Sequence, residues 1–264
     1  MPPDAIRKPP VMPVPAATLL LLRDGAEGLE VLMCVRHDAA GFAAGAMVFP
    51  GGKTAAEDLL LLECASNPAG LDAGALVFRI AAIRESFEEC GVLLARAHGD
   101  DALLSHEALA ASIERIKDVS DFGAFVARAR VVLATDLLVP FAHWITPVDQ
   151  PKRFDTHFFL APAPGDQMAK HDGREAVETR WITPAGAVAA ADRGELKLVF
   201  ATRANLLRLG RSRTVADALE TARHARIVTV EPKLAETPQG PVFRIPADAG
   251  YEVTETPVRR VTRA

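Results

Sequence analysis

Cysteine is scarce in this 264-residue chain. Cys34, Cys64 and Cys90 are widely spaced and odd in number, which argues against a disulfide framework and against a cysteine-ligated metal site. Reduced thiols in a reducing compartment are the expectation. Basic residues are not in excess either: the formal net charge is −4, so no overall positive field recruits nucleic acid. No apolar run can span a bilayer, since Thr18 to Leu22 is far too short. The proline-rich start, Met1 to Pro15, lacks an apolar core of the signal-peptide kind. The final Arg-Val-Thr-Arg-Ala is not an address of the S-K-L type. These absences predict a cytoplasmic protein with no membrane and no nucleic-acid partner. The seven histidines show no H-x-x-x-H spacing, which argues against zinc.

What the chain does have is enough apolar material for a core, 49% hydrophobic against 24% charged residues. It also has one unusual acidic stretch, Arg84-Glu85-Ser86-Phe87-Glu88-Glu89-Cys90-Gly91-Val92. On a helix, with Glu85 at 0°, Glu89 falls at about 40° and Glu88 at about 300°. Ile80, Ile83, Phe87 and Cys90 fall on the opposite side, between about 140° and 220°. One face can therefore enter a core while the other gathers negative charge. Like charges at these spacings repel. Full solvation of the face or a neutralising cation relieves that repulsion, and hard divalent cations take oxygen ligands. Upstream, Val48-Phe49-Pro50-Gly51-Gly52 reads as a strand entering a tight glycine turn, where positive φ and close approach to a ligand are open to the backbone. A carbonyl of that turn could serve as a further metal ligand.

These residues resemble the Nudix box, G-x5-E-x7-R-E-U-x-E-E-x-G-U with U apolar. Gly52 matches the first glycine, Asp58 stands where the pattern has Glu, and Arg84, Glu85, Glu88, Glu89, Gly91 and Val92 match the rest. Ser86 departs from an apolar position, and 25 residues separate Asp58 from Arg84 where the pattern has seven. That long spacer puts Asp58 in doubt as a functional position. The insertion, with F-P-G-G and A-A-I-R-E-S-F-E-E-C-G-V, is similar to the peroxisomal coenzyme A diphosphatase-like branch of the superfamily. Phe141 to Leu160 resembles that branch's W-I-T-P…R-F-D-T-x-F-F segment. His171 to Trp181 resembles its later strand.

The resemblance implies an α/β fold, a Nudix-type α/β/α sandwich with a mixed sheet and a helical insertion. It implies a metal-dependent hydrolase that cleaves a diphosphate linkage in a nucleoside-diphosphate-linked small molecule, with coenzyme A or acyl-CoA as the leading substrate. Nucleotide sugars, ADP-ribose and NADH stay open, as does a catalytically silent ligand-sensing or partner-binding module. Mg2+ or Mn2+ is the implied cofactor, held by Glu85, Glu88 and Glu89 with the Gly51 carbonyl as a further ligand. Glu85 or Glu88 could equally act on the nucleophilic water, and in some relatives the base lies on a distant loop, here Glu175 or Glu178. Arg84 orients a box glutamate. Arg36, Lys53 and Arg153 are candidate phosphate contacts.

The spacing of apolar residues and turn signals predicts an irregular arm over 1–13 and a main domain over 14–232. Insertions are expected at about 59–77 and, as helices, at about 101–136, and a C-terminal extension over 233–264. Helices are predicted at 55–62, 75–95, 184–191, 201–209 and 215–223, and strands at 16–22, 29–36, 46–49, 142–145, 156–160 and 178–182. Short strand-like runs follow at 227–230 and 242–245. Trp144 and Trp181 fit a sheet core better than a base-stacking role. His157 fits a packed or surface position. The basic run Arg203, Arg208, Arg211 and Arg213 reads as a solvated face. The helical insertion and the extension offer surface for a homodimer.

Overall fold

Leu19, Leu20, Leu21 and Leu22 are all buried in succession, which a strand allows only if both of its faces are covered. The computed structural model describes residues 11–37, 44–116, 121–171, 173 and 176–258, and shows how the covering is done. The first half of the chain runs β1 (Val14–Gly25), β2 (Gly28–Arg36), β3 (Met47–Val48), β4 (Gly51–Lys53), α1 (Ala73–Cys90), β5 (Ala95–Ala97), α2 (His106–Arg115), α3 (Phe122–Ala129) and β6 (Val131–Leu133). It continues with β7 (Val139–Ile145), β8 (Phe154–Pro162), β9 (Ala176–Ile182), α4 (Pro184–Asp192), α5 (Phe200–Leu209), α6 (Val215–His224) and β10 (Thr229–Val230). β11 (Lys233–Thr237), β12 (Gly240–Arg244) and β13 (Glu255–Pro257) form a separate three-stranded antiparallel sheet.

Among the described residues eight strands make the main sheet, in the order β10-β7-β8-β1-β2-β3, with β4 also beside β1 and β9 also beside β2. β1 runs parallel to β8 and antiparallel to β2 and β4, so the sheet is mixed. Alternation along β1 sends Leu19 and Leu21 to one face, against Ile80 and Ile83 of α1 and Phe122 and Phe125 of α3. Leu20 and Leu22 go to the other, with Ala187 of α4, Leu206 of α5 and Leu219 of α6. Helices on both faces of a mixed sheet make the expected α/β/α sandwich.

Helix α1 is bounded by local chemistry. The Asp72 carboxylate accepts a hydrogen bond from the Ala75 N–H at 2.8 Å, as an N-cap should. Gly91 ends the helix in the left-handed region at φ 67°, where a Cβ would be strained. The helix therefore stops at Cys90, short of the predicted Ala95, and the chain turns into β5. The expected helical insertion is only partly helical: α2 and α3 lie in it, but Val131–Leu133 forms β6 and pairs with β5. Its apolar run there reads as well for a strand as for a helix. The segment predicted as a helix at 55–62 is a 3-10 helix over Ala56–Cys64.

The long spacer before α1 is ordered by the insertion after it. Ser66 N–H donates to the Leu133 carbonyl at 2.9 Å, and Thr135 Oγ1 donates to the Ser66 carbonyl. Asn67 closes the following loop with bonds to Leu71 N–H and C=O at 2.8 and 2.9 Å. Phe87 of α1 stacks on Phe125 of α3 with ring centroids 5.2 Å apart. Phe125 is fully buried, so Phe125→Ala should lower stability by about 3–5 kcal/mol. Urea titration checks this, with a lower midpoint expected at an unchanged slope.

Candidate active site

Three elements meet at the acidic half of α1: the glycine turn entering β4, the 3-10 helix at 56–64, and α1 itself. Arg84 ties them together. Its Nε and Nη2 donate to the two oxygens of Asp58 at 2.8 and 3.2 Å. Nη1 donates to Glu85 at 2.7 Å and to Glu88 at 3.0 Å. Nη2 also donates to the Lys53 carbonyl at 2.8 Å. All five guanidinium donors are thus engaged. Burial opposes the Arg84 charge, but the bonds to Asp58 and Glu85 and their negative charges outweigh it and raise its pKa further.

Glycine lets the turn lie directly on these carboxylates. A Cβ on Gly52 would sit 2.5 Å from the Glu85 carboxylate, and one on Gly51 would sit 2.5 Å from the Ala17 carbonyl. Neither glycine has positive φ, so it is close approach, and not a left-handed turn, that demands them. Gly51 N–H donates to Glu89 Oε2 at 3.0 Å. Behind Glu89 lies Cys34, with Sγ 3.9 Å from the same oxygen. A hydrogen bond with Cys90, then burial, then the Glu89 charge push the Cys34 thiol well above its ordinary range. Cys90 is buried in the core, as its place on the apolar face implied.

Glu85 and Glu89 are nearly buried, at 9% and 4% exposure, whereas the Glu88 side chain is 45% exposed. All three line one open cleft of about 2180 Å³. Arg36 and Lys53 line it too, and so do Trp144, Phe158 and Phe200. The buried Nε of Arg36 has no hydrogen-bond partner among the described residues.

Two expected site residues lie elsewhere. Arg153 is 8% exposed and is not among the cleft residues. Its guanidinium donates to the carbonyls of Thr146 and Val11 at 3.0 and 2.8 Å and to Glu231 at 2.5 Å. It clamps the start of β8 to the N-terminal segment. Glu178 sits on β9, opposite Val35, accepts from Arg180 at 2.5 Å, and is likewise outside the cleft. β1 and β2 separate β9 from β8, a sheet order that local pattern does not give. Glu175 lies outside the described residues. Asp58, by contrast, belongs to the site: it is fully buried and holds Arg84. Its place in the motif was the signal. The long spacer concealed that the chain folds back only after Asp58.

The remaining expectations fall in the core or on salt bridges. Trp144 is buried and donates through Nε1 to the Tyr251 hydroxyl at 2.8 Å. Trp181 is half-buried, with the Arg23 guanidinium 4.4 Å above its ring. Arg203 pairs with Asp192, Arg211 with Glu252, and Arg208 lies over Phe141.

A mixed sheet between helix layers, with a glycine turn laid on an arginine-braced acidic helix, defines the Nudix class of domain. The family described as the NUDT19 Nudix domain matches residues 68–209, more than half of the chain, and the chain belongs to that family. A Caenorhabditis elegans protein named as a nudix hydrolase is 30% identical over 169 residues, which are 64% of this chain and 52% of that protein. The acyl-coenzyme A diphosphatase NUDT19 of Xenopus laevis is 26% identical, over 60% of this chain and 54% of its own length. The chain spans about half the length of the curated relatives it matches. The crystal structure of a NUDIX hydrolase from Alicyclobacillus acidocaldarius superposes with a TM-score of 0.69 and 27% identity, covering 82% of this chain and 99% of that one. No helix among the described residues is long and apolar enough to cross a membrane.

Asp58 holds a guanidinium whose side chain is only 11% exposed, so its loss leaves a buried charge poorly matched. Asp58→Ala should destabilise the protein by about 3–5 kcal/mol in urea titration. Leu60→Ala, at an exposed site on the same 3-10 helix, should stay within about 0.5 kcal/mol.

Proposed function

We propose that the chain is a Mg2+- or Mn2+-dependent hydrolase that cleaves the diphosphate link of a nucleotide-type small molecule, with coenzyme A or acyl-CoA as the substrate class. The observation that carries this reading is the convergence of Glu85, Glu88 and Glu89 on one cleft beneath the Gly51-Gly52 turn. Three carboxylates, Asp58, Glu85 and Glu88, share a single guanidinium here, and Glu89 lies beside them under the glycine turn. The donor set is entirely oxygen, which fits a hard divalent cation. Glu85, Glu88 and Glu89 would hold it, with the Gly51 carbonyl as a further ligand. Such an ion, when bound, neutralises phosphate charge and acidifies a coordinated water.

The chain's own residues do the rest. Arg84 keeps Glu85 and Glu88 oriented through its bonds to both. Gly51 N–H keeps Glu89 Oε2 turned toward the glycine turn. Glu88 is the most exposed of the three and is placed to take a proton from an attacking water. Arg36, whose buried Nε has no partner among the described residues, and Lys53 are placed to take phosphate oxygens on the same cleft wall. The apolar wall of Phe158 and Phe200 suits the long, partly apolar arm of an acyl-CoA. Relatives named as acyl-coenzyme A diphosphatases support that substrate class.

The test is turnover on coenzyme A, an acyl-CoA, ADP-ribose, NADH and a nucleotide sugar, with Mg2+ or Mn2+ and with chelator. Metal-dependent release of 3′,5′-ADP from the coenzyme A substrates is expected. Glu89→Gln should lower kcat by about 10²-fold or more. Arg36→Ala should raise KM more than it lowers kcat. Absence of turnover on every diphosphate, or full activity of Glu89→Gln, would refute the proposal.

A further inference from the structure

A second cluster of metal-binding side chains lies outside the cleft. β7 and β8 are antiparallel, with His143 opposite His157 and Ile145 opposite Asp155. Side chains alternate along a strand, so His143, Asp155 and His157 share one face of this pair. Trp144, Thr156 and Phe158 take the other face and line the cleft. The His143 and His157 rings stack with centroids 4.2 Å apart. Phe78 of α1 covers His157 with centroids 4.1 Å apart. One potential ligand atom from each of His143, Asp155 and His157 lies within 4.8 Å of the other two.

The geometry points to a second metal site, in which His143 Nε2, an Asp155 oxygen and a His157 ring nitrogen take a divalent cation of the Zn2+ or Co2+ type. The donor chemistry separates it from the box. Imidazole nitrogens favour borderline transition metals, whereas the all-oxygen set of Glu85, Glu88 and Glu89 favours hard ions. The stacked imidazoles would turn about their χ2 bonds to bring both nitrogens onto one point, where ligand bonds of about 2.0–2.1 Å are formed. His143 Nε2 is already hydrogen-bonded to Asp155, so the cation takes the place of the proton between them, and in a neutral imidazole that proton moves to Nδ1. His143 Nδ1 lies 2.8 Å from Thr229 Oγ1. With metal on Nε2, the Nδ1 proton is donated to that hydroxyl, the usual way a ligating imidazole is held in orientation. Arg79, whose charge bears on His157, opposes a cation here, and the Asp155 carboxylate offsets it.

The site would join β7, β8 and, through Thr229, β10. Phe78 and Glu85 are seven residues apart, so it lies about 10 Å along α1 from the box. Three protein ligands in a half-buried setting leave a fourth position for water.

Titration of the metal-stripped full chain with Co2+ tests this without any activity measurement. One equivalent should give the intense visible absorption of low-symmetry, nitrogen-ligated Co2+, and Zn2+ should displace it. His143→Ala and Asp155→Asn should each weaken binding at least tenfold, with circular dichroism confirming a retained fold. If His143→Ala fails to fold, His157→Gln replaces it. Glu85→Gln and Glu89→Gln should leave the spectrum intact even though they alter the box. The proposal is overturned if the spectrum is that of an oxygen-ligated ion, survives His143→Ala or His157→Gln, or disappears in Glu89→Gln.

Discussion

A single buried guanidinium organises the acidic end of α1. Arg84 engages all five of its donors with three carboxylates and one carbonyl, which come from three different elements. A charge this deep is tolerated only when its hydrogen bonds are complete. The requirement runs in both directions: Arg84 needs Asp58, Glu85 and Glu88, and those carboxylates need Arg84. The 3-10 helix at 56–64, the β4 backbone and α1 are therefore set relative to one another by one polar network.

Steric room sets the second constraint. The glycine turn lies on Glu85 at position 52 and against β1 at position 51, at distances that leave no room for a side chain. This converts what a helical wheel shows as a solvated acidic face into a largely covered one, with Glu88 left exposed. Crowded carboxylates under a backbone cover concentrate negative charge, and Arg84 pairs with Asp58, Glu85 and Glu88 there. The two ends of α1 are thereby set apart: the first half packs Phe78 on His157, the second half faces the cleft.

The two-residue period of the β7–β8 pair divides its functions. One face contributes Trp144, Thr156 and Phe158 to the cleft, and the other gathers His143, Asp155 and His157. Trp144 is braced from outside the main sheet, since Tyr251 accepts from its Nε1 and in turn donates to Asn205 of α5 at 2.8 Å. The segment after β12 thus contributes to the cleft wall through a buried hydrogen-bond chain.

Much of the fold and half of the site were legible in the residues. Ile80, Ile83, Phe87 and Cys90 against Glu85, Glu88 and Glu89 marked α1 and its two faces, because a helix maps spacing directly onto direction. Motif order marked Gly51, Gly52 and Arg84. Alternation and apolar runs located β1, β2, β7 and β8. Contacts made across long separations were not legible. Asp58 reaches Arg84 because the spacer folds against Leu133, Arg153 is drawn into a clamp by Val11 and Glu231, and His143 meets His157 through strand register. Local pattern decides which face a residue presents. What that face meets depends on pairing between segments far apart in the chain, and only the packed tertiary structure decides it.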